Sequence, residues 1–229
     1  MSVTPEQKRK FIEMVAPFAQ NEYRKGRKIL PSVCIAQACC ESAYGTTEKM
    51  KNANAMLGIK VGKGKVHFGT AWHDKAYNTA THECYDGKTY QKINDFFRAY
   101  DSVEDCITDY YDILCNCKRY RAAVGENNYT RAITAIRAGG YATSPTYITT
   151  VTNIIKGNDL TKYDRFAFFS KCSYSGNSIV DGLISIGAMS AKDYRAKIAA
   201  VNGIVGYTGT DEQNNKLLFL LKVGSLVKP

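Results

Sequence analysis

Residues 31–45 (PSVCIAQACCESAYG) constrain the fold of this chain more than any other segment. Pro31 suits the first turn of a helix, where its missing N–H has no helical partner, and mostly apolar residues follow it. The segment therefore predicts a helix from Pro31 to about Tyr44. It contains one carboxylate, Glu41. Apolar surroundings would raise the pKa of Glu41 and let it act as a general acid near neutral pH. Taken alone, the segment also fits an ordinary polar residue at a helix end.

Composition limits the classes of protein that the chain can be. Its 229 residues suffice for one core and a smaller module, and its net charge of +10 favours polyanionic partners. The densest basic cluster, residues 118–121, comes with no nucleic-acid-binding motif, so no nucleic-acid partner is expected. No stretch approaches the ~18 apolar residues of a membrane span. The first residues lack the apolar core of a secretory signal, so either a signal has been removed or the protein leaves its cell by another route. We expect synthesis in the cytosol without a signal peptide.

The eight cysteines show no pattern of a metal or redox site. No C-x-x-C pair is present, which argues against a zinc ribbon or a thioredoxin-like motif. Cys34, Cys39 and Cys106 lie in apolar helical stretches, where a free thiol behaves as a small hydrophobic group. We therefore expect folding in a reducing compartment, with neither a metal nor a cofactor.

Helices and a short β region share the first part of the chain. Helical periodicity is found over 5–25, 31–44, the stretch after the capping residue Ser102, 129–138 and 145–156. Residues 55–97 are instead rich in glycine, with short β-prone pieces such as 66–68 and 89–90. This composition predicts a β-hairpin lobe at about 60–95.

The C-terminal residues 170–229 predict a separate small module. A polar, linker-like stretch at 170–177 precedes three helix starts, each marked by a capping residue: Ser178, Ser190 and Thr210. The apolar residues that follow each cap can form the core of a three-helix module. Periodicity alone does not reveal what this module does.

Four motifs together resemble a known family. They are S-V-x-I-A-Q-A-x-x-E-S-x-x-G at 32–45, M-L-G-I-K at 56–60, F-R-A-Y-D-S-V-E-D at 97–105 and G-Y-A-T-x-P-x-Y at 140–147. In this order and spacing they resemble the family 73 glycoside hydrolases, the endo-β-N-acetylglucosaminidases of bacterial autolysins, flagellar peptidoglycan hydrolases and phage endolysins. The resemblance covers about residues 5–160.

The resemblance implies an α+β, lysozyme-like and mainly helical catalytic domain over 1–165. It also implies an enzyme that cleaves the β-1,4 bond between N-acetylglucosamine and N-acetylmuramic acid in bacterial peptidoglycan. Glu41 matches the family's general acid, and glycoside cleavage needs a proton delivered to the leaving oxygen.

A second carboxylate is expected on the hairpin. The family carries a glutamate in a pattern close to T-x-E-Y-x-x-G, and T-H-E-C-Y-D-G at 81–87 is the nearest match here, with its tyrosine shifted by one residue. Glu83 is therefore the candidate general base or electrostatic stabiliser, the alternative being a solvated hairpin charge. Asp86 is expected to shape the turn, and Asp74 is a further candidate for the second carboxylate.

Tyrosines offer a sugar-binding surface, since an amphipathic ring suits both the face and the hydroxyls of a pyranose. The resemblance places Tyr141 and Tyr147 in or beside the cleft, and Tyr85 could stack from the hairpin. Asn54 is a candidate glycan contact, although the family's N-L-F-G-I-K reads N-A-M-L-G-I-K in this chain. We expect three other aromatic residues to pack in the core: Phe96, Phe97 and Tyr100.

The 170–229 module resembles small repeats at the C-termini of clostridial and phage lysins. This implies binding to the cell wall, where the basic surplus would suit anionic wall polymers. The predicted protein is a monomeric endolysin that acts at the wall after release. Alternatives are a lytic transglycosylase or muramidase that uses the same glutamate, and a non-catalytic glycan-binding wall protein.

Overall fold

The computed structural model describes residues 3–62, 64–84, 88–89, 91–165, 168–224 and 226–229. The chain divides into two compact units, residues 1–164 and 165–229, and each is described by itself. None of the helices in these described ranges combines the length and apolar character needed to cross a bilayer.

The first unit is mainly helical, with one antiparallel hairpin. Its elements are α1 (Pro5–Arg24), α2 (Pro31–Ser42), α3 (Glu48–Ala53), β1 (Ala76–Glu83), β2 (Gln91–Arg98), α4 (Val103–Asn116), a 3₁₀-helix (Lys118–Ala123), α5 (Tyr129–Ala138), α6 (Tyr147–Gly157) and a second 3₁₀-helix (Leu160–Asp164). This confirms the predicted α+β class with a hairpin lobe. Four helices agree closely with their periodicity, and α6 begins two residues later than expected.

Helix α2 runs through the middle of the first unit. Every side chain from Pro31 to Cys39 is buried, because α1, α6 and the Leu160–Asp164 helix pack around it. The helix ends where Ala43 and Tyr44 adopt positive φ values of 47° and 55°. Ser42 secures this end, since its hydroxyl donates to the Ala38 carbonyl and accepts from the Gly45 N–H. A buried apolar helix therefore brings Glu41 to its last turn, as the sequence predicts.

The hairpin is joined to the helical body at the end of β2. Strand β1 pairs with β2 in a register from Ala76 opposite Arg98 to Glu83 opposite Gln91. Phe97 also forms an isolated antiparallel bridge with Lys60. The Arg98 guanidinium then donates two hydrogen bonds to the buried Asp109 carboxylate on α4, at 2.9 and 3.1 Å. A buried ion pair thus fixes the end of β2 to α4.

Two local expectations about the first unit were wrong, and one helix was missed. Residues 66–68 form no strand, because the Val66 carbonyl accepts a hydrogen bond from Arg98 instead of a neighbouring strand. Phe96 is 53% exposed rather than in the core, since residues alternate between faces along β2 and the buried face takes Phe97. Helix α3 was not predicted, because six residues are too few to show a periodicity.

The second unit contains α7 (Ile179–Ser185), α8 (Lys192–Val201) and α9 (Asp211–Lys222) around an apolar core. Ser178 caps α7, and Thr210 forms a capping box with Gln213, as the sequence predicts. The predicted cap Ser190 is wrong, because α8 begins after Ala191 and has no side-chain cap.

All eight cysteines lie within the described residues, and none of them forms a disulfide. Cys34, Cys39 and Cys106 are buried in the core of the first unit, as their apolar surroundings predict. Burial raises the pKa of the Cys106 thiol to about 12, so this group stays protonated and unreactive near neutral pH.

Candidate active site

An open groove crosses the first unit beside the end of α2. It consists of two adjoining cavities of about 590 and 290 Å³, which share Gly58, Lys60, Tyr141 and Thr143 in their walls. The smaller cavity contains Glu41. The groove is formed by the end of α2, the segment after α3, the hairpin and the segment before α6, so its walls come from distant parts of the chain.

Glu41 is half-buried in the wall of the smaller cavity. The backbone of Gly58 lies against it, such that a Cβ built at Gly58 would be 2.8 Å from the Glu41 Oε2. The Lys49 ammonium is near the same point, 3.4 Å from that Cβ position, and sits over the Phe97 ring at 4.8 Å. The carboxylate is therefore held in a narrow slot that also opens to the groove.

Tyr147 approaches Glu41 from the first turn of α6. Its hydroxyl accepts a hydrogen bond of 2.7 Å from the Gln37 amide nitrogen, and Tyr147 lines the same cavity as Glu41. Burial, with the Glu41 charge as the next cause, raises the pKa of Tyr147 well above its usual range. The phenol therefore stays protonated and remains a hydrogen-bond donor throughout the neutral range.

Tyr141 lines both cavities and forms the floor between them. Its hydroxyl donates a 2.6 Å hydrogen bond to the Leu57 carbonyl. Its ring meets those of Tyr110, Tyr120 and Tyr147 at centroid distances of 6.2–6.3 Å. The preceding Gly140 has a φ of 83°, which turns the chain so that residue 141 faces the groove.

The hairpin contributes Thr81 and Phe97 to the smaller cavity. Glu83 lies at the end of β1, with its backbone paired to Gln91. The next residue, Cys84, donates its backbone N–H to the hydroxyl of Thr143, a residue of both cavities. The backbone at Glu83 therefore lies beside the groove. Tyr85 and Asp86 are outside the described residues.

Asn54 is not among the described residues that line the groove. It has a φ of 50° at the C-terminus of α3, and its amide donates a 3.0 Å hydrogen bond to the Tyr100 carbonyl. Asn54 thus ends a helix and ties it to the segment after β2. Asp74, the further candidate for the second carboxylate, is hydrogen-bonded to His67 at 3.1 Å.

Sequence reasoning missed Gln37, Lys49 and Gly58 as site residues. A signal for Gln37 existed, because it precedes Glu41 by four residues and so shares its face of the helix. Gly58 lies within the M-L-G-I-K motif, and its φ of 62° favours glycine. No local signal points to Lys49, since its place depends on how α3 packs.

The larger cavity carries only basic charges among its described residues, namely Lys60, Arg98 and Arg119. Arg98 is paired with Asp109 and Lys60 with Asp95, at 2.9 Å each. The Arg119 guanidinium lies over the Tyr120 ring at 4.7 Å from its centroid. This end of the groove is therefore suited to a ligand that is neutral or negatively charged.

A mainly helical domain with a hairpin lobe and a glutamate in an open groove defines the lysozyme-like class of glycoside hydrolases. The family model described as "Mannosyl-glycoprotein endo-beta-N-acetylglucosaminidase", or glucosaminidase, matches residues 16–160. The chain belongs to this glucosaminidase family.

Known proteins agree with this assignment. The chain is 33% identical over 159 residues to the exo-glucosaminidase LytG of Bacillus subtilis, a match that covers 67% of this chain and 52% of LytG. Its fold is similar to the catalytic domain of the autolysin Auto from Listeria monocytogenes, with a TM-score of 0.56, 28% identity, and coverage of 72% of this chain and 91% of that domain. It is also similar to a peptidoglycan hydrolase mutant from Sphingomonas sp. A1, with a TM-score of 0.57, 27% identity, and coverage of 67% and 96%. The matched region spans about half the length of LytG.

Proposed function

We propose that this chain is a peptidoglycan hydrolase that cleaves the β-1,4 bond between N-acetylglucosamine and N-acetylmuramic acid. The observation that carries the proposal is the half-buried Glu41 carboxyl in the wall of an open groove. A protonated Glu41 would deliver its proton to the glycosidic oxygen as the bond breaks. The relatives support the choice of substrate, since several of them are named peptidoglycan hydrolases.

We assign the second carboxylate role to Glu83. The hydrogen bond from the Cys84 backbone to Thr143 supports this choice, because it ties the end of β1 to a residue of the groove. In this role Glu83 activates a water molecule or stabilises the positive charge that develops on the sugar ring. Glu83→Gln should therefore leave a measurable remnant of activity.

The two groove tyrosines take different parts in this proposal. Tyr147 is only 4% exposed and lines the same cavity as Glu41, so it acts on the carboxyl rather than by stacking on a sugar. Tyr141 is half-buried on the floor shared by both cavities, where the exposed part of its ring can contact a pyranose.

Glu41→Gln tests the acid directly. The variant keeps the size of the side chain but cannot donate an acidic proton, so wall-lysing activity should fall by at least ~10³-fold. Glu48→Gln is the matched control, because Glu48 is exposed and pairs with Lys51 on α3. The fall in turbidity of a suspension of purified peptidoglycan measures the lytic activity of both variants. Full lysis by a folded Glu41→Gln protein would contradict the assignment.

Product analysis separates the enzyme classes. Mass spectrometry of digested glycan should show new reducing ends on N-acetylglucosamine. Reducing ends on N-acetylmuramic acid would indicate a muramidase, and an anhydro product would indicate a lytic transglycosylase. The size of the products distinguishes cleavage inside the glycan strand from cleavage at its end. This distinction matters because the relative LytG is named an exo-glucosaminidase.

For residues 165–229 we propose a wall-binding role. The unit carries eight basic and four acidic residues, a surplus suited to anionic wall polymers. Together with the first unit, it would make a monomeric endolysin that lyses the bacterial wall by cleaving its peptidoglycan.

A further inference from the structure

A buried chain of hydrogen bonds leads from α4 through α2 to Tyr147 on α6, which lines the same cavity as Glu41. The Tyr110 hydroxyl donates to the Gln37 Oε1, and the Gln37 Nε2 donates to the Tyr147 hydroxyl. Tyr110 and Gln37 are both fully buried, so water cannot replace a lost partner.

This chain has one direction. Because the Gln37 Oε1 accepts from Tyr110, the amide nitrogen of Gln37 must face Tyr147. The Tyr147 oxygen then accepts a hydrogen bond from Gln37, which leaves its own hydroxyl hydrogen free to point at the Glu41 carboxylate. Each donor in the series is thus aligned by the one before it, and hydrogen bonds in such a series strengthen one another.

We propose that Gln37, oriented by Tyr110, is a positioning residue that aims the Tyr147 hydroxyl at the carboxylate left when Glu41 gives up its proton. The inference rests on the proposed function of Glu41 as the general acid. A donor aimed in advance stabilises this carboxylate without reorganisation as the proton leaves. Neither Gln37 nor Tyr110 touches the groove, so both act through Tyr147.

Other charged and titratable groups also face Glu41. Cys40 precedes it on α2, Lys49 reaches it from α3, Tyr141 approaches from the segment before α6, and Lys60 lines the same cavity. A change at Tyr110 leaves all of these groups in place. Its effect on Glu41 therefore isolates the contribution of the hydrogen-bond chain.

Tyr110→Phe and Tyr111→Phe form a matched pair. Both tyrosines are fully buried on α4, but the Tyr111 hydroxyl donates to the Ala19 and Ile29 carbonyls instead of Gln37. In Tyr110→Phe the Gln37 amide is free to turn, so that its oxygen accepts a hydrogen bond from the Tyr147 hydroxyl and Glu41 loses its donor. Loss of a donor favours the protonated carboxyl, so the alkaline limb of the pH–activity profile should move up by about 0.5–1 pH unit.

The rate should change along with the profile. We expect kcat on soluble glycan strands to fall roughly three- to tenfold in Tyr110→Phe, with KM unchanged, because no groove contact is lost. Tyr111→Phe should keep the parent profile. Gln37→Met, of similar length and without a hydrogen-bonding group, should shift the limb in the same direction and serves if Tyr110→Phe does not fold. An unshifted limb in the folded variants would overturn the proposal.

A second readout does not depend on catalysis. The ¹³C NMR titration of the Glu41 carboxyl carbon, assigned with Glu41→Gln, should have a higher midpoint in Tyr110→Phe than in Tyr111→Phe. If the parent protein cleaves no peptidoglycan, the proposed function fails while this titration still tests the hydrogen-bond chain. Equal midpoints in the two variants would rule out the positioning role.

Discussion

Gly58 shows how closely the backbone approaches the proposed acid. Its φ of 62° lies in the left-handed region, and the missing side chain leaves the space taken by the Glu41 carboxylate. A glycine here thus serves two purposes, since it permits the turn and lets a carboxyl sit against the main chain. The space beside the Glu41 carboxylate therefore limits the side chains that residue 58 can carry.

Gly58→Ala should therefore harm activity more than stability. The new Cβ would lie 2.8 Å from the Glu41 Oε2, so the carboxyl must move out of position. We expect a ~10²-fold loss of wall-lysing activity, the effect of a displacement of about 1 Å at a reacting group.

The control for this substitution is Gly125→Ala. Gly125 has a φ of 82° with nothing within 4 Å of a built Cβ, so it carries the same backbone strain without the contact. Both variants should lose about 1 kcal/mol of unfolding free energy. Equal activities in the two would show that the Glu41 slot tolerates a methyl group.

The stability of the hairpin depends more on the contacts of Arg98 than on the pairing of its two strands. A two-stranded hairpin is marginally stable in water by itself. Arg98, at the end of β2, is 4% exposed in its side chain, pairs with Asp109 and lies over the Trp72 ring at 4.1 Å. Tyr100 donates a further 2.7 Å hydrogen bond to Asp109. This buried cluster holds one wall of the groove against α4.

Arg98→Met should destabilise the first unit by about 3–5 kcal/mol, because it leaves the Asp109 carboxylate buried without its cation. Arg9→Met is the control, since Arg9 pairs with Glu13 on the exposed face of α1 and such pairs contribute about 0–1 kcal/mol. Urea unfolding followed by the fluorescence of Trp72, the single tryptophan, reports on this unit. Similar losses in the two variants would contradict the role given to Arg98.

The two units have separate cores and can be tested separately. The core of the first unit lies between residues 11 and 160, and that of the second between residues 169 and 226. Within the second unit, Asn202 bonds to the backbone of Val227 in both directions, at 2.9 and 3.0 Å. This closes the C-terminal end onto its own helices.

Removal of residues 165–229 should weaken wall association more than it harms the first unit. We expect the remaining 1–164 chain to keep the Trp72 unfolding midpoint of the full chain, while far less of it pellets with purified cell walls. High salt should weaken the binding of the full chain, because charge drives it. Unchanged pelleting of the shortened chain would count against a wall-binding module.

The amino-acid sequence predicted the features that depend on neighbours along the chain. Helices α1, α2, α4 and α5 follow from periodicity, and the caps Ser102, Ser178 and Thr210 follow from side chains that bond to backbone three residues ahead. The placement of Glu41 at the end of a buried helix belongs to the same class. These features are local, because a helix is made by contacts between residues three and four positions apart.

Features that depend on residues far apart in the chain could not be predicted in this way. Packing alone brings Gly58 and Lys49 to Glu41, gives the Val66 carbonyl to Arg98 and leaves Phe96 in solvent. Asn54 is the clearest case, since the motif suggests a glycan contact while in the fold its amide ties the end of α3 to the Tyr100 carbonyl. The sequence by itself thus supplied the helices and the candidate proton donor, Glu41. The groove around that residue arises only when distant segments pack, because its walls come from segments that lie far apart in the sequence.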